Sequence, residues 1–193
     1  MSNSDRQIAR RPSIAVIGDA RITPGSRHEA LAHAIGCGLV DAGYRLVTGG
    51  MGGVMEAAHR GARDSANWFD GAGIGILPGT NPGQANPYVD IAIPTGSDHG
   101  RNLVVAQSEA VIAIGGGAGT LSEIAFAWIH RRLIIALRCD GWSERLADQR
   151  IDGRIRYKDI PEDRVYGANS ADEAITLLAH WLPKYTMHYR RIA

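Results

Sequence analysis

Residues 111–126 read Val-Ile-Ala-Ile-Gly-Gly-Gly-Ala-Gly-Thr-Leu-Ser-Glu-Ile-Ala-Phe: an apolar run, a cluster of glycines, then an amphipathic pattern. The run predicts a buried strand and the pattern after it a helix. Between them Gly115, Gly116, Gly117 and Gly119, interrupted by Ala118, permit a tight turn whose backbone can approach a ligand closely. Thr120 falls where the helix is expected to start. Its hydroxyl can cap that helix or bond an anion, and the unpaired N–H groups of the first turn face the same anion. Glu123 follows three residues later, a spacing that serves two purposes. The carboxylate either closes a capping box with Thr120 or reaches over the sugar of a bound nucleotide.

Outward from this stretch the chain repeats the same strand, turn and helix. Ser13-Ile-Ala-Val-Ile-Gly18 reads as a strand, followed by a polar loop over 19–26 and a helical pattern over 28–41. Arg45-Leu-Val-Thr-Gly49 is the next strand, followed by the turn Gly49-Gly50-Met51-Gly52-Gly53 and a helix over 54–64. Further strands are expected over 73–77, 91–94, 110–114, 133–137 and 165–166, and helices over 99–108, 120–130 and 171–182, the last capped by Ser170. The Pro-, Gly- and Asn-rich segment 78–87 is a loop that could close over a ligand. Apolar strands alternating with helices predict an α/β fold: one domain over 13–183 with a doubly wound parallel sheet, flanked by tails at 1–12 and 184–193. In such sheets ligands bind beyond the carboxyl ends of the strands. A single crevice lined by Gly18 and Asp19, by Gly49, Gly50, Gly52 and Gly53, and by residues 115–120 is therefore expected, with Arg101 and Asn102 at a helix start beside it.

Several function classes are disfavoured by composition. A net charge of +1 lacks the basic face needed for nucleic acid, and no apolar run is long enough to span a membrane. The first dozen residues have no apolar core of a signal peptide, which points to the cytoplasm. Cys37 and Cys139 are too few for a disulfide framework and are expected as buried thiols. Only Lys158 and Lys184 are lysines, both far from the glycine turns, so a Schiff-base cofactor has no anchor. The histidines show no metal-ligand spacing, so no metal site is expected. Strand one ends Gly18-Asp19-Ala20-Arg21 without a dinucleotide fingerprint, and no Walker sequence is present. Two glycine turns at one crevice suggest a small phosphorylated ligand the size of a mononucleotide.

Thr48-Gly-Gly-Met-Gly-Gly-Val-Met-Glu-Ala-Ala58 and Gly115-Gly-Gly-Ala-Gly-Thr-Leu-Ser-Glu123, with Arg101-Asn102 upstream, resemble the LONELY GUY family and its Rossmann-like superfamily over roughly residues 13–180. That family carries the signature Pro-Gly-Gly-x-Gly-Thr-x-x-Glu. The resemblance implies a phosphoribohydrolase that needs no cofactor and cleaves a nucleoside 5′-monophosphate to free base and ribose 5-phosphate. By carry-over Glu123 and Arg101 are the catalytic pair, and the backbone of Gly116 to Thr120 holds the phosphate. The chemistry suits them, since a carboxylate can stabilise the positive charge that develops on the sugar as the C–N bond breaks. This chain departs from the signature: Gly115 replaces the proline, Ala118 the usual aromatic, and the interval from Arg101 to the glycines is one residue short. These departures resemble a sister branch that includes molybdenum-cofactor carrier proteins, in which the crevice holds a phosphorylated pterin uncleaved and Glu123 only caps its helix. The hydrolase is placed first because both catalytic residues are retained, with the carrier as the alternative and a nucleotide-binding sensor third. The resemblance also implies a homodimer or larger assembly, for which Ile124, Ala125, Trp128 and Ile129 offer an apolar face.

Overall fold

In the computed structural model, which describes residues 10–187, seven strands form one wholly parallel sheet. In chain order the elements are β1 (Ser13–Gly18), α1 (Arg27–Asp41), β2 (Arg45–Thr48), α2 (Val54–Asp64), β3 (Gly73–Leu77), β4 (Ile91–Pro94), α3 (Asn102–Val105), β5 (Ala110–Ile114), α4 (Ala118–Ile129), β6 (Leu133–Leu137), α5 (Gly141–Leu146), β7 (Val165–Ala168) and α6 (Ala171–Trp181). The strand order is β4-β3-β2-β1-β5-β6-β7. The chain thus winds outward from β1 to one edge, then returns beside β1 with β5 and winds to the other. This reversal leaves a crevice outside the carboxyl ends of β1 and β5.

The sequence explains the layering. Every residue of β5 and β6 is buried, as expected of strands covered on both faces by helices. Along β1 the side chains alternate: Ile14 and Val16 join the core beneath α1, α2 and α6, whereas Ala15 and Ile17 join the core beneath α3 and α4. No helix among the described residues is long and apolar enough to cross a membrane.

Several local expectations change. The helix expected over 99–108 is a 3-10 turn, Asp98–Arg101, running into the four-residue α3. Asp98 holds a φ of 48°, outside the α region, and the chain after it closes in the tighter 3-10 pattern as far as Arg101, so α3 begins only at Asn102. α5 was not foreseen, because its start, Asp140-Gly141, needs two positive φ values that periodicity does not reveal. Ile124 and Trp128, offered above as a contact face, are buried inside the chain at 0% and 1% exposure, and only Ile129 of that group is exposed. Cys139 is buried as expected, but Cys37 is half-buried, with its thiol 3.5 Å from the Asp41 carboxylate. Tyr185, placed above in the C-terminal tail, is buried and donates to the buried carboxylate of Asp163 at 2.6 Å. Residues 1–9 and 188–193 of the two expected tails lie outside the described residues.

Candidate functional site

At the switch point between β1 and β5 the structure has a half-open cleft of about 200 Å³. Its floor is the glycine turn after β5. Gly115 and Gly116 take φ values of 63° and 96°, so two residues suffice to reverse the chain, and α4 begins at Ala118 with Gly117 as its N-cap. The helix therefore starts two residues earlier than expected. Thr120 becomes a first-turn residue, no side chain caps the helix, and the capping box between Thr120 and Glu123 does not form.

The turn is braced by groups outside the motif. The Gly115 N–H donates to the Ser143 hydroxyl at 2.8 Å, and that hydroxyl donates to the Leu137 carbonyl at 2.6 Å. Two N–H groups of α5, those of Trp142 and Ser143, donate to the carbonyls of Gly116 and Gly115, each at 3.0 Å. Gly141 lies so close that a β-carbon on it would sit 2.7 Å from the Gly115 carbonyl carbon. The Gly116 N–H is also engaged, donating to the Asp19 carboxylate at 2.9 Å. Among the described residues no protein group accepts from the N–H groups of Gly117, Ala118, Gly119 or Thr120. Those four donors lie at the positive end of the α4 dipole, with Gly117, Gly119 and Thr120 lining the cleft.

Glu123 sits one turn further along α4 and lines the same cleft. It is 6% exposed, and burial pushes its carboxyl up to about 7 even though the neighbouring Arg101 guanidinium pulls it down. The guanidinium lies 3.4 Å from one Glu123 oxygen. Arg101 is held there by the 3-10 turn before α3, and its Nε is buried without a partner. Gly49, at the end of β2, makes room for it, because a β-carbon on Gly49 would overlap the Arg101 guanidinium. Asn102 is committed to α4: its amide donates to the Ser122 hydroxyl at 2.8 Å and to the Gly119 carbonyl at 3.5 Å.

The cleft thus gathers Gly18, Asp19, Gly49, Arg101, Asn102, Gly117, Gly119, Thr120 and Glu123. The rest of the expected set does not line it. Gly53, at φ 65°, packs against the Asp19 carbonyl, which accepts the Val54 N–H at 2.9 Å; this turns the start of α2 toward the β1 loop. The Gly50 carbonyl is held by the backbone and side-chain amides of Asn86 at 2.9 and 3.2 Å, so the 78–87 loop is tied to the β2 turn. Gly52 stands beside the Glu56 carboxylate.

Sequence reasoning missed His99 and Met55 in the cleft lining, and Ser143, Asn86 and His59 in its support. His59 is fully buried, its Nε2 2.9 Å from the Thr48 hydroxyl, which accepts the Gly50 N–H at 2.8 Å. Burial lowers its pKa to about 3, so it is a neutral brace for the β2 turn. A buried polar residue on an otherwise apolar helix face was the available signal for His59.

Comparison with known proteins agrees with this architecture. The SLOG cluster4 family model matches residues 11–174. The molybdenum cofactor binding protein from the phototrophic bacterium Rippkaea orientalis is 34% identical, with a TM-score of 0.73, over 89% of this chain and 98% of that one. The molybdenum cofactor carrier protein MCP from Chlamydomonas reinhardtii is 27% identical, with a TM-score of 0.71, over 90% of this chain and 99% of that one. An uncharacterized protein of Archaeoglobus fulgidus is 37% identical over 109 residues, 56% of this chain and 69% of that protein. The chain belongs to the SLOG cluster4 family, within the LONELY GUY-like superfamily that its glycine motifs resemble.

Proposed function

We propose that this chain is a carrier that binds a phosphorylated pterin of the molybdenum-cofactor kind in the β1/β5 cleft. The observation that carries the reading is the row of four unpartnered N–H groups, 117–120, of which Gly117, Gly119 and Thr120 line a cleft shared with the Arg101 guanidinium. A terminal phosphate fits there because the helix dipole and the aligned donors favour a dianion. The Arg101 guanidinium, which lines the cleft, supplies a further charge-assisted donor. Likeness over nearly the full length of two molybdenum-cofactor-binding proteins supports a pterin over a nucleotide, and binding over turnover. On this reading the chain works in the cytoplasm, as a homodimer or larger assembly.

The second reading is the phosphoribohydrolase, favoured by the Glu123–Arg101 pair lining the same cleft. Here an ionised Glu123 stabilises the oxocarbenium-like sugar, or activates water against it, while Arg101 orients the ligand. Because burial holds Glu123 near 7, turnover on this reading climbs as pH rises through that value.

One experiment separates the two. The purified chain is incubated with molybdenum cofactor and desalted, and the retained pterin is read by fluorescence after oxidation. In parallel, a panel of nucleoside 5′-monophosphates is assayed for free base with wild type, Glu123→Gln and Arg101→Ala. Near-stoichiometric pterin retention without base release supports the carrier. Base release that both substitutions abolish replaces it with the hydrolase.

A further inference from the structure

Asp19 is a carboxylate placed inside a site built for an anion. Its Oδ2 accepts the Gly116 N–H at 2.9 Å, and the residue lines the cleft next to the four open donors. Oδ1 has no protein partner among the described residues. The main chain of Asp19 is equally engaged, since its carbonyl accepts the Val54 N–H at 2.9 Å and packs on Gly53. One residue therefore fixes both glycine turns. Glu123 stands one helical turn beyond the donors and lines the same cleft. The cradle is thus bracketed, with the Asp19 carboxylate on the fifth N–H at one end and the Glu123 carboxyl at the other.

We infer that Asp19 is a specificity-determining residue that restricts the cradle to a single terminal phosphate. The inference rests on the phosphate-cradle reading proposed above and narrows its ligand class to phosphate monoesters. The first phosphate takes the N–H groups of 117–120. A second phosphate extending from Gly117 toward the β1 loop meets the Asp19 carboxylate, which lines the cleft there and already holds the next donor, the Gly116 N–H. Like charges at that range disfavour each other strongly where water is partly excluded. A phosphorylated pterin or a nucleoside monophosphate is accepted, whereas a diphosphate or triphosphate is not. In Asp19→Asn the amide oxygen can still accept the Gly116 N–H, so geometry is kept while the charge is removed. Asp19→Ala removes both.

The test measures inorganic phosphate, pyrophosphate and tripolyphosphate by calorimetry on wild type, Asp19→Asn and Asp19→Ala. The quantity scored is the ratio of pyrophosphate to phosphate dissociation constants within each protein. This ratio is independent of the fraction folded, and a purely structural role would not change it. Wild type is expected to prefer phosphate by about tenfold or more, the scale of one desolvated like-charge contact. In Asp19→Asn the preference should fall at least fivefold, pyrophosphate gaining more affinity than phosphate. In Asp19→Ala the ratio should fall similarly while both anions bind more weakly. Equal wild-type affinities for the two anions overturn the inference and leave the cradle intact, as does a ratio that neither substitution changes. Wild type that binds no anion at all overturns both the inference and the cradle.

Discussion

Replacing Glu123 by Gln should stabilise the fold above neutral pH and leave it unchanged in acid. Glu123 is 6% exposed, and burial raises its carboxyl from 4.5 to about 7. The folded state therefore holds a proton that the unfolded chain releases over that interval. Stability from this group is fully present below 4.5 and is lost as pH rises toward about 7, since the native state binds more protons throughout the window. At about 1.4 kcal/mol per unit, the loss is about 3 kcal/mol by pH 8. A protonated glutamic acid and a glutamine have nearly the same shape and charge, so Arg101 faces an equivalent neighbour in wild type at pH 5 and in the variant at any pH. Thermal unfolding in phosphate-free buffer across pH 5–8 reads the difference. The two proteins should lie within a few degrees of each other at pH 5 and diverge with rising pH, the variant finishing on the order of 8 °C higher for a chain of this size. Parallel curves would refute the assignment of a buried, proton-holding Glu123.

Gly49→Ala should weaken phosphate binding by about tenfold or more, the scale of one hydrogen bond to a charged group, while leaving the melting temperature within a few degrees, because the atoms nearest the added methyl are those of the Arg101 guanidinium, the far end of a flexible side chain. Calorimetry on the folded variant checks it. Gly141→Ala should cost about 2 kcal/mol or more and weaken anion binding, although it touches neither Glu123 nor Arg101: its φ is 63° and its β-carbon would press on the backbone of Gly115 and Gly116. Asp163→Ala should cost about 3–5 kcal/mol in urea unfolding by leaving the Arg156 guanidinium, bonded at 2.5 and 2.8 Å, without its buried partner. Tyr185→Phe, which removes a 2.6 Å bond to the same carboxylate, should cost about 1–3 kcal/mol.

Much of the fold was legible because doubly wound sheets write themselves in alternating periods. The strands over 73–77, 91–94, 110–114 and 133–137 stand where the apolar runs put them. The site was legible as a set of turns but not as a division of labour. Gly49 and Gly53 look alike in sequence, yet Gly49 yields space to a guanidinium while Gly53 packs on the Asp19 carbonyl. Thr120 and Glu123 have the spacing of a capping box, and two positive-φ glycines moved the helix start so that the box never forms. Ser143 and Asn86 act on the glycine turns from 28 and 36 residues away, a separation at which no local pattern operates. Only the tertiary fold brings such partners together.

The place of Gly115 ties these observations to function. The family signature has proline there, and proline fixes φ near −65° and has no N–H. Gly115 stands at φ 63° and uses its N–H to hold Ser143. The exchange is therefore a different turn and not a relaxed version of the same one. Reversing the chain at Gly115 and Gly116 also hands the Gly116 N–H to Asp19, so the ligand meets four donors and a carboxylate where a longer row of donors was expected. The same geometry leaves Glu123 with Arg101 as its charged neighbour. A carboxyl held near 7 in such a place suits a general base on the hydrolase reading, and on the carrier reading it is a serviceable hydrogen-bond partner for a heterocycle that is to be kept whole. The turn that sets this chain apart from the signature is therefore the turn that sets the donors and the carboxylate on which the proposed carrier rests.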